Sequence, residues 1–132
     1  MLELHSWITI RETSAATEYE EENIEKIIEE IKVKSKELRW NRIEVKVLDG
    51  EFYLEASIYA NRKTEEVVEL FDFYEFVGRV AEGSYGIIYM LDDGDKEGLS
   101  NEFQVFTLAR GKIKKYKDSY LSPFIPTVED KE

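Results

Sequence analysis

The chain has 132 residues, of which 42% are hydrophobic, and this is enough to bury one real core. The sequence therefore predicts a single domain spanning residues 1–132. The 29 acidic and 18 basic residues give a formal net charge of −11. This charge disfavours direct binding to nucleic acids and to anionic membranes. The absence of cysteine excludes disulfides, thiolate metal sites and a cysteine nucleophile.

The first residues, MLELH, lack the basic and apolar regions of a signal peptide. No apolar run approaches the roughly 20 residues that span a bilayer. We therefore expect a soluble, cytoplasmic protein.

The first half of the chain alternates between strand and helix patterns. Apolar residues recur at every second position of residues 2–12, which predicts a strand, and at helical spacing over residues 20–38, which predicts an amphipathic helix. Residues 42–60 form two alternating runs around Asp49 and Gly50, the pattern of a tight β-hairpin. The helical stripe consists of Ile24, Ile27, Ile28, Ile31 and Leu38.

The second half begins with a helix that Thr64 would cap. Its buried stripe is predicted to consist of Val67, Leu70, Phe71, Tyr74, Val77 and Ala81. Strands are predicted at residues 85–91 and 102–110, followed by an extended tail whose two prolines disfavour helix. The order β-α-β-β-α-β-β predicts an α+β fold, with an antiparallel sheet of about five strands packed against two helices.

The glycine-rich segment GSYG, residues 83–86, raises the possibility of a phosphate site. Such loops precede a helix and usually carry a nearby lysine, whereas this one precedes an apolar, β-branched run typical of a strand. We expect Gly83 to end the second helix and Gly86 to ease the start of the strand.

The acidic loop that follows the strand raises the possibility of a calcium site. Its central glycine, Gly94, comes too early for a calcium loop, and Ser100 stands where the closing glutamate is needed. An exposed acidic loop is the simpler interpretation, and we predict neither a metal nor a cofactor.

Catalysis has little support in the sequence. His5 is the only histidine, which excludes a three-histidine metal site, and pairs can be drawn from 29 acids in many ways. We therefore expect no catalytic residues and no enzyme activity.

Five short motifs spread over nearly the whole chain resemble the immunity protein 7 family of bacterial polymorphic toxin systems. In order they are HSWITIRE (5–12), GSYG (83–86), DD (92–93), NEFQV (101–105) with LARGK (108–112), and LSP (121–123) with IP (125–126). Ser6 replaces a glycine that is common in the family, and Phe124 replaces a small residue or cysteine. The resemblance implies an antitoxin that binds a toxin domain and does no chemistry itself.

The resemblance and the acidity together suggest which residues meet the toxin. Many such toxins are nucleases with basic surfaces, which an acidic partner would attract. Trp7, on the strand face opposite Ile8 and Ile10, is a candidate anchor, with Trp40, Tyr19 and Tyr53 as further candidates. The proposed steering acids are Glu18, Glu20, Glu21, Glu22 and Glu25 before and within the first helix, and Asp92, Asp93, Asp95 and Glu97 in the loop.

Other interpretations of the sequence remain open. The helix acids could simply complement the helix dipole, and the other charge runs could be solvated surface. The protein could instead be a small hydrolase or isomerase using carboxylates and His5, or an acidic interaction module that mimics nucleic acid. A monomer is favoured, with no nucleic-acid or membrane partner.

Overall fold

The computed structural model describes residues 1–13, 23–38, 43–61 and 65–131. The fold is α+β, as predicted, with one strand and one short helix beyond those expected. The elements are β1 (Leu2–Ile10), α1 (Ile24–Ser35), β2 (Ile43–Leu48), β3 (Glu51–Ala60), α2 (Glu65–Val80), β4 (Tyr85–Asp92), β5 (Phe103–Ala109), β6 (Lys112–Lys117) and α3 (Phe124–Thr127). No helix in the described ranges is long and apolar enough to cross a membrane.

The six strands form one antiparallel sheet in the order β2-β3-β1-β4-β5-β6. β1 is paired along both edges, with Trp7 opposite Glu55 of β3 on one side and Ile87 of β4 on the other. Side chains alternate between the two faces of a strand, so residues in register share a face. The register therefore assigns every strand residue to one of two faces.

The core lies between one face of the sheet and the two long helices. The even-numbered residues Leu2, Leu4, Ile8 and Ile10 of β1 are at most 1% exposed and belong to one hydrophobic cluster with both helices. The predicted stripe of α1 is confirmed, because Ile28 and Ile31 are buried and its other members pack against them. In α2 the buried residues are Val67, Leu70, Phe73, Tyr74, Val77 and Gly78, while Phe71 is only partly buried.

One polar pair crosses this core. The Ser6 and Tyr74 hydroxyls lie 2.5 Å apart and form a buried hydrogen bond between β1 and α2. Burial raises the pKa of Tyr74, and the hydrogen bond to Ser6 opposes that rise. A buried phenol needs such a partner, so Ser6, at a position where the resemblance leads us to expect glycine, satisfies the Tyr74 hydroxyl.

The prediction of an extended tail after residue 110 was wrong in two places. Arg110 and Gly111 have positive φ angles of 51° and 75°, close to those of Asp49 and Gly50 at 51° and 79°, so both pairs make tight hairpin turns. The first turn was predicted and the second was missed. A short helical element, α3, also forms around Pro126, although Ile125 before the proline keeps an extended backbone that kinks it. Its turn is closed by the Val128 amide, which donates to the Phe124 carbonyl at 2.8 Å.

The helix α2 ends at Val80, three residues before Gly83 of the GSYG segment, so the prediction that Gly83 ends this helix was wrong. Gly86 lies at the start of β4 as predicted, but its role is stricter than easing the start of a strand. A Cβ atom on Gly86 would lie 2.1 Å from the Trp7 carbonyl oxygen and 2.7 Å from the Ile8 Cα. Nearby, the buried Ser84 hydroxyl accepts a hydrogen bond from the Arg11 amide at 3.2 Å. This segment therefore fixes the close approach of β1 and β4.

Replacing Gly86 by Ala should destabilise the protein by about 2–4 kcal/mol, because the backbone of β1 must move to admit the methyl group. Gly94→Ala is the matched control, since a Cβ atom there would meet the Asp92 Oδ1 atom at an ordinary contact distance of 3.5 Å. That variant should stay within about 0.5 kcal/mol of the parent. Urea unfolding of both variants makes the comparison, and equal stabilities would contradict the role given to Gly86.

Candidate functional site

The side of the sheet that faces away from the helices forms a distinct surface, which we call the open face. It is built from the odd-numbered residues of β1 and from the residues in register with them. Its central members are Glu3, His5, Trp7, Thr9, Tyr53, Glu55, Ser57, Tyr59, Tyr85, Ile87, Tyr89, Leu91, Phe103, Val105 and Thr107, and its flanks are Glu44, Lys46 and Glu51 on one side and Lys112, Lys114 and Tyr116 on the other.

Aromatic side chains dominate the exposed part of this face. Trp7 is 46% exposed and Tyr85 is 44% exposed, and their rings meet edge to face with centroids 6.2 Å apart. Tyr59 and Tyr116 are 58% and 50% exposed. An antiparallel sheet with one solvated face usually presents polar residues there. Tryptophan and tyrosine are instead the residues most enriched at the centres of protein interfaces.

Two of the four predicted anchors lie on the open face. Trp7 points away from Ile8 and Ile10, as its odd position indicates, and Tyr53 is partly buried on the same face. Trp40 and Tyr19 lie outside the described residues. Sequence reasoning missed Tyr85, Tyr59 and Tyr116, whose shared face depends on strand order rather than on any local pattern.

Charges of opposite sign flank the aromatic centre. On one side Glu44, Glu51 and Glu55 lie on β2 and β3, and the Lys46 ammonium is 2.9 Å from a Glu55 oxygen and 3.7 Å from a Glu44 oxygen. Its hydrogen bond to Glu55 and the charges of both carboxylates raise the pKa of Lys46. On the other side β6 presents lysines from the sheet edge, where they also discourage pairing with other chains.

His5 belongs to a small polar cluster on the open face. Its Nε2 atom is 2.6 Å from a Glu3 carboxylate oxygen, and the Tyr59 hydroxyl is 3.3 Å from both groups. The His5 and Tyr59 rings also meet edge to face at 5.5 Å. These contacts hold Glu3 and Tyr59 in place on the surface.

The same cluster bears on the enzyme hypothesis. The Ser57 hydroxyl lies 3.4 Å from His5 Nδ1, a long hydrogen bond for a serine that a base would activate, and Ser57 is exposed on β3. Two grooves lie on the helix side, lined by residues such as Val33, Lys34 and Phe76. His5 lies on the opposite side of the sheet from these two grooves.

Two of the four loop acids have structural roles. Asp92 is 5% exposed and accepts a hydrogen bond from the Gly94 amide at 3.1 Å. Asp95 accepts from the amides of Glu97 and Leu99 at 3.0 and 2.9 Å. Glu97 is exposed, and the exposed Asp93 carboxylate lies 2.6 Å from the Met1 amino group. Within the described ranges, no three histidine or acidic residues are grouped to hold a metal ion.

The predicted steering acids that the structure describes lie at opposite ends of β1. Glu18, Glu20, Glu21 and Glu22 lie outside the described residues, while Glu25 is exposed in the first turn of α1. That turn follows Asn23, whose amide contacts Glu12 just beyond the end of β1, whereas Asp92 pairs with Leu2 at its start. A nine-residue strand spans about 30 Å, several Debye lengths at physiological salt. Glu25 and the loop acids therefore cannot act as one patch.

The whole-chain comparison settles the family. The model of the immunity protein 7 family matches residues 1–130. The chain belongs to this family. No curated protein and no solved structure shows significant similarity to it. As a family member it is an immunity protein of a toxin system, and its partner is a cognate toxin.

In this immunity protein residues 118–127, which we call the C-terminal segment, cover one end of the open face. The Phe103 and Phe124 rings lie 6.0 Å apart, so Phe124 packs onto the sheet. The Phe103 amide donates to the Ser122 hydroxyl at 2.8 Å, and Asn101 bonds the backbone of Ile125 at 2.9 and 3.0 Å. Leu91, Phe103 and Val105 consequently become buried although they lie on the open face.

Asp118 organises the start of this segment. Burial favours its neutral form, but hydrogen bonds from the Tyr89 and Ser122 hydroxyls and from the amides of Tyr120 and Leu121 outweigh burial and lower the pKa of Asp118. Burial and the Asp118 charge raise the pKa of Tyr89 in return. The carboxylate thus ties the segment to β4.

Tyr89→Phe should lower the free energy of unfolding by about 1 kcal/mol at neutral pH, because Asp118 loses one donor. Since the folded pKa of Asp118 lies below its ordinary value of 3.8, its stabilisation is present above that pH and is lost as the pH falls through the folded pKa. The difference from the parent should therefore shrink in acid. Urea unfolding between pH 7 and pH 3 tests this, with Tyr85→Phe as a control that should show no such convergence.

Proposed function

We propose that this immunity protein binds and neutralises a nuclease-type polymorphic toxin domain in the cytoplasm of the bacterium that produces both. The net charge of −11 carries the choice of toxin class. A nuclease holds phosphates with basic side chains, so its surface attracts an acidic protein over distance and repels a basic one. Membership in the immunity protein 7 family supplies the partner's role as toxin.

Neutralisation by binding alone fits the chemistry of the chain. A producer must capture its toxin before the toxin reaches its target, and complementary charge can raise association rates by orders of magnitude. The exposed acids Glu25, Asp93 and Glu97, together with Glu18, Glu20, Glu21 and Glu22, are proposed to steer the toxin. Asp92 and Asp95 contribute charge to the same field while their side chains shape the loop. The protein itself performs no reaction.

Co-expression with the toxin domain encoded by the neighbouring reading frame should restore growth to cells that the toxin alone kills. A purified toxin domain with an inactivated active site should form a stoichiometric complex with this protein. The association rate should fall steeply with added salt, because long-range attraction is screened.

Stopped-flow mixing and size-exclusion chromatography measure the rate and the complex. Rescue of growth without a complex at micromolar concentrations would indicate an enzymatic or transcriptional mechanism instead. A complex whose association rate does not depend on salt would contradict the electrostatic argument for a nuclease.

A further inference from the structure

The exposed aromatic residues are not scattered over the molecule. Among the described residues, the aromatic side chains with large exposure are Trp7, Tyr59, Tyr85, Tyr116 and Tyr120. The first four lie on the open face, and Tyr120 lies on the C-terminal segment near Tyr89 of that face. The two long helices cover only the other face.

Among the residues that the structure describes, the helix side offers no comparable anchor. Val33 and Val68 are 54% and 56% exposed there, but both are small. Phe76, the aromatic residue of the groove, is only partly exposed, and the Lys34 ammonium lies 5.7 Å from its ring centre. An interface built around aromatic anchors therefore belongs on the open face.

The C-terminal segment limits how much of the open face remains available. It buries Leu91, Phe103 and Val105 at the end of the sheet where β1 begins. Trp7 and Tyr85 lie towards the other end and stay exposed, held in position by their edge-to-face contact. What remains is a bounded aromatic patch on paired strands.

The charge around this patch is asymmetric. The strands β2 and β3 place Glu44, Glu51 and Glu55 on one flank, where Lys46 is the opposing base. The opposite flank, on β6, carries Lys112 and Lys114. A basic partner is attracted to the first flank and repelled by the second. The asymmetry therefore favours a partner of positive charge and also sets the position in which it docks.

We propose that the toxin domain docks on the open face, with an apolar surface over Trp7 and Tyr85 and its basic side chains towards the acidic flank on β2 and β3. This inference rests on the proposed function and specifies the contact surface. The acidic loop after β4 and the start of α1 lie at the ends of the sheet, where their charges raise the rate of association. The aromatic patch holds the complex together, since desolvated contacts resist dissociation.

The test uses the full chain and the inactivated toxin domain from the neighbouring reading frame, with affinities measured by titration calorimetry. Trp7→Ala and Tyr85→Ala should each raise Kd at least about 30-fold, mainly through faster dissociation. Trp7→Phe should recover part of the loss because it keeps an aromatic ring. The helix-side control, Val33→Ala with Val68→Ala, should change Kd by less than about 3-fold. Thermal unfolding identifies any variant that fails to fold.

A pair of charge reversals tests the orientation without touching the aromatic residues. Glu51→Lys, on the acidic flank, and Glu75→Lys, exposed on α2, change the net charge equally. Glu51→Lys should raise Kd about 10-fold or more, whereas Glu75→Lys should raise it less than about 3-fold. Equal effects would show that only the net charge matters and would overturn the proposed orientation.

The outcomes separate this inference from the proposed function. If the parent protein does not bind the toxin domain, both the proposed function and the proposed docking surface are wrong. If the parent binds but the Trp7 and Tyr85 variants bind equally well, the function stands and the docking surface is wrong. If the chain alone is a dimer that Trp7→Ala dissociates while toxin affinity is unchanged, the face joins two copies of this chain instead.

Discussion

The pairing of β1 along both edges constrains everything else in this protein. Because β3 and β4 occupy its two sides, the side chains of β1 can point only towards the helices or away from them. The even positions build the core, and the odd positions must therefore include Trp7 on the surface. The close approach of β1 to β4 at Gly86 holds this arrangement in register.

A sheet face offers a binding protein the advantage of rigidity. Aromatic side chains on paired strands have few rotatable bonds, and ring contacts such as that between Trp7 and Tyr85 restrict them further before any partner arrives. Ordering a mobile side chain on binding costs about 0.5–1.5 kcal/mol. A surface that is already ordered avoids much of that cost, which suits an antitoxin that must bind tightly and quickly.

The sequence predicted what depends on local patterns. The alternation in β1, the helical stripe of α1 and the turn at Asp49 and Gly50 were recognisable because each needs only neighbouring residues. The strand β6 was missed because KIKKYK carries many lysines, a composition that suits an exposed edge but weakens the apolar alternation. The Arg110 and Gly111 turn was the signal that could have revealed it.

The candidate site was less predictable because it is assembled from distant parts of the chain. Trp7, Tyr59 and Tyr85 share a surface only through strand order and register. Acids that look equivalent in sequence also differ once folded, since Asp92 is buried in its own turn while Glu25 is exposed. Glu25 and the loop acids also lie at opposite ends of β1.

Docking of the toxin on the open face is tested most directly by following the environment of the Trp7 ring during binding. The protein can be labelled with 5-fluorotryptophan, and its two tryptophan signals can be assigned by fluorine NMR with a Trp40→Phe variant. Unlabelled, inactivated toxin domain is then added in steps. We expect the Trp7 resonance to shift and to lose its response to a soluble paramagnetic quencher as the toxin covers the ring. A saturated complex in which the Trp7 signal keeps its free position and its full response to the quencher would contradict docking on the open face.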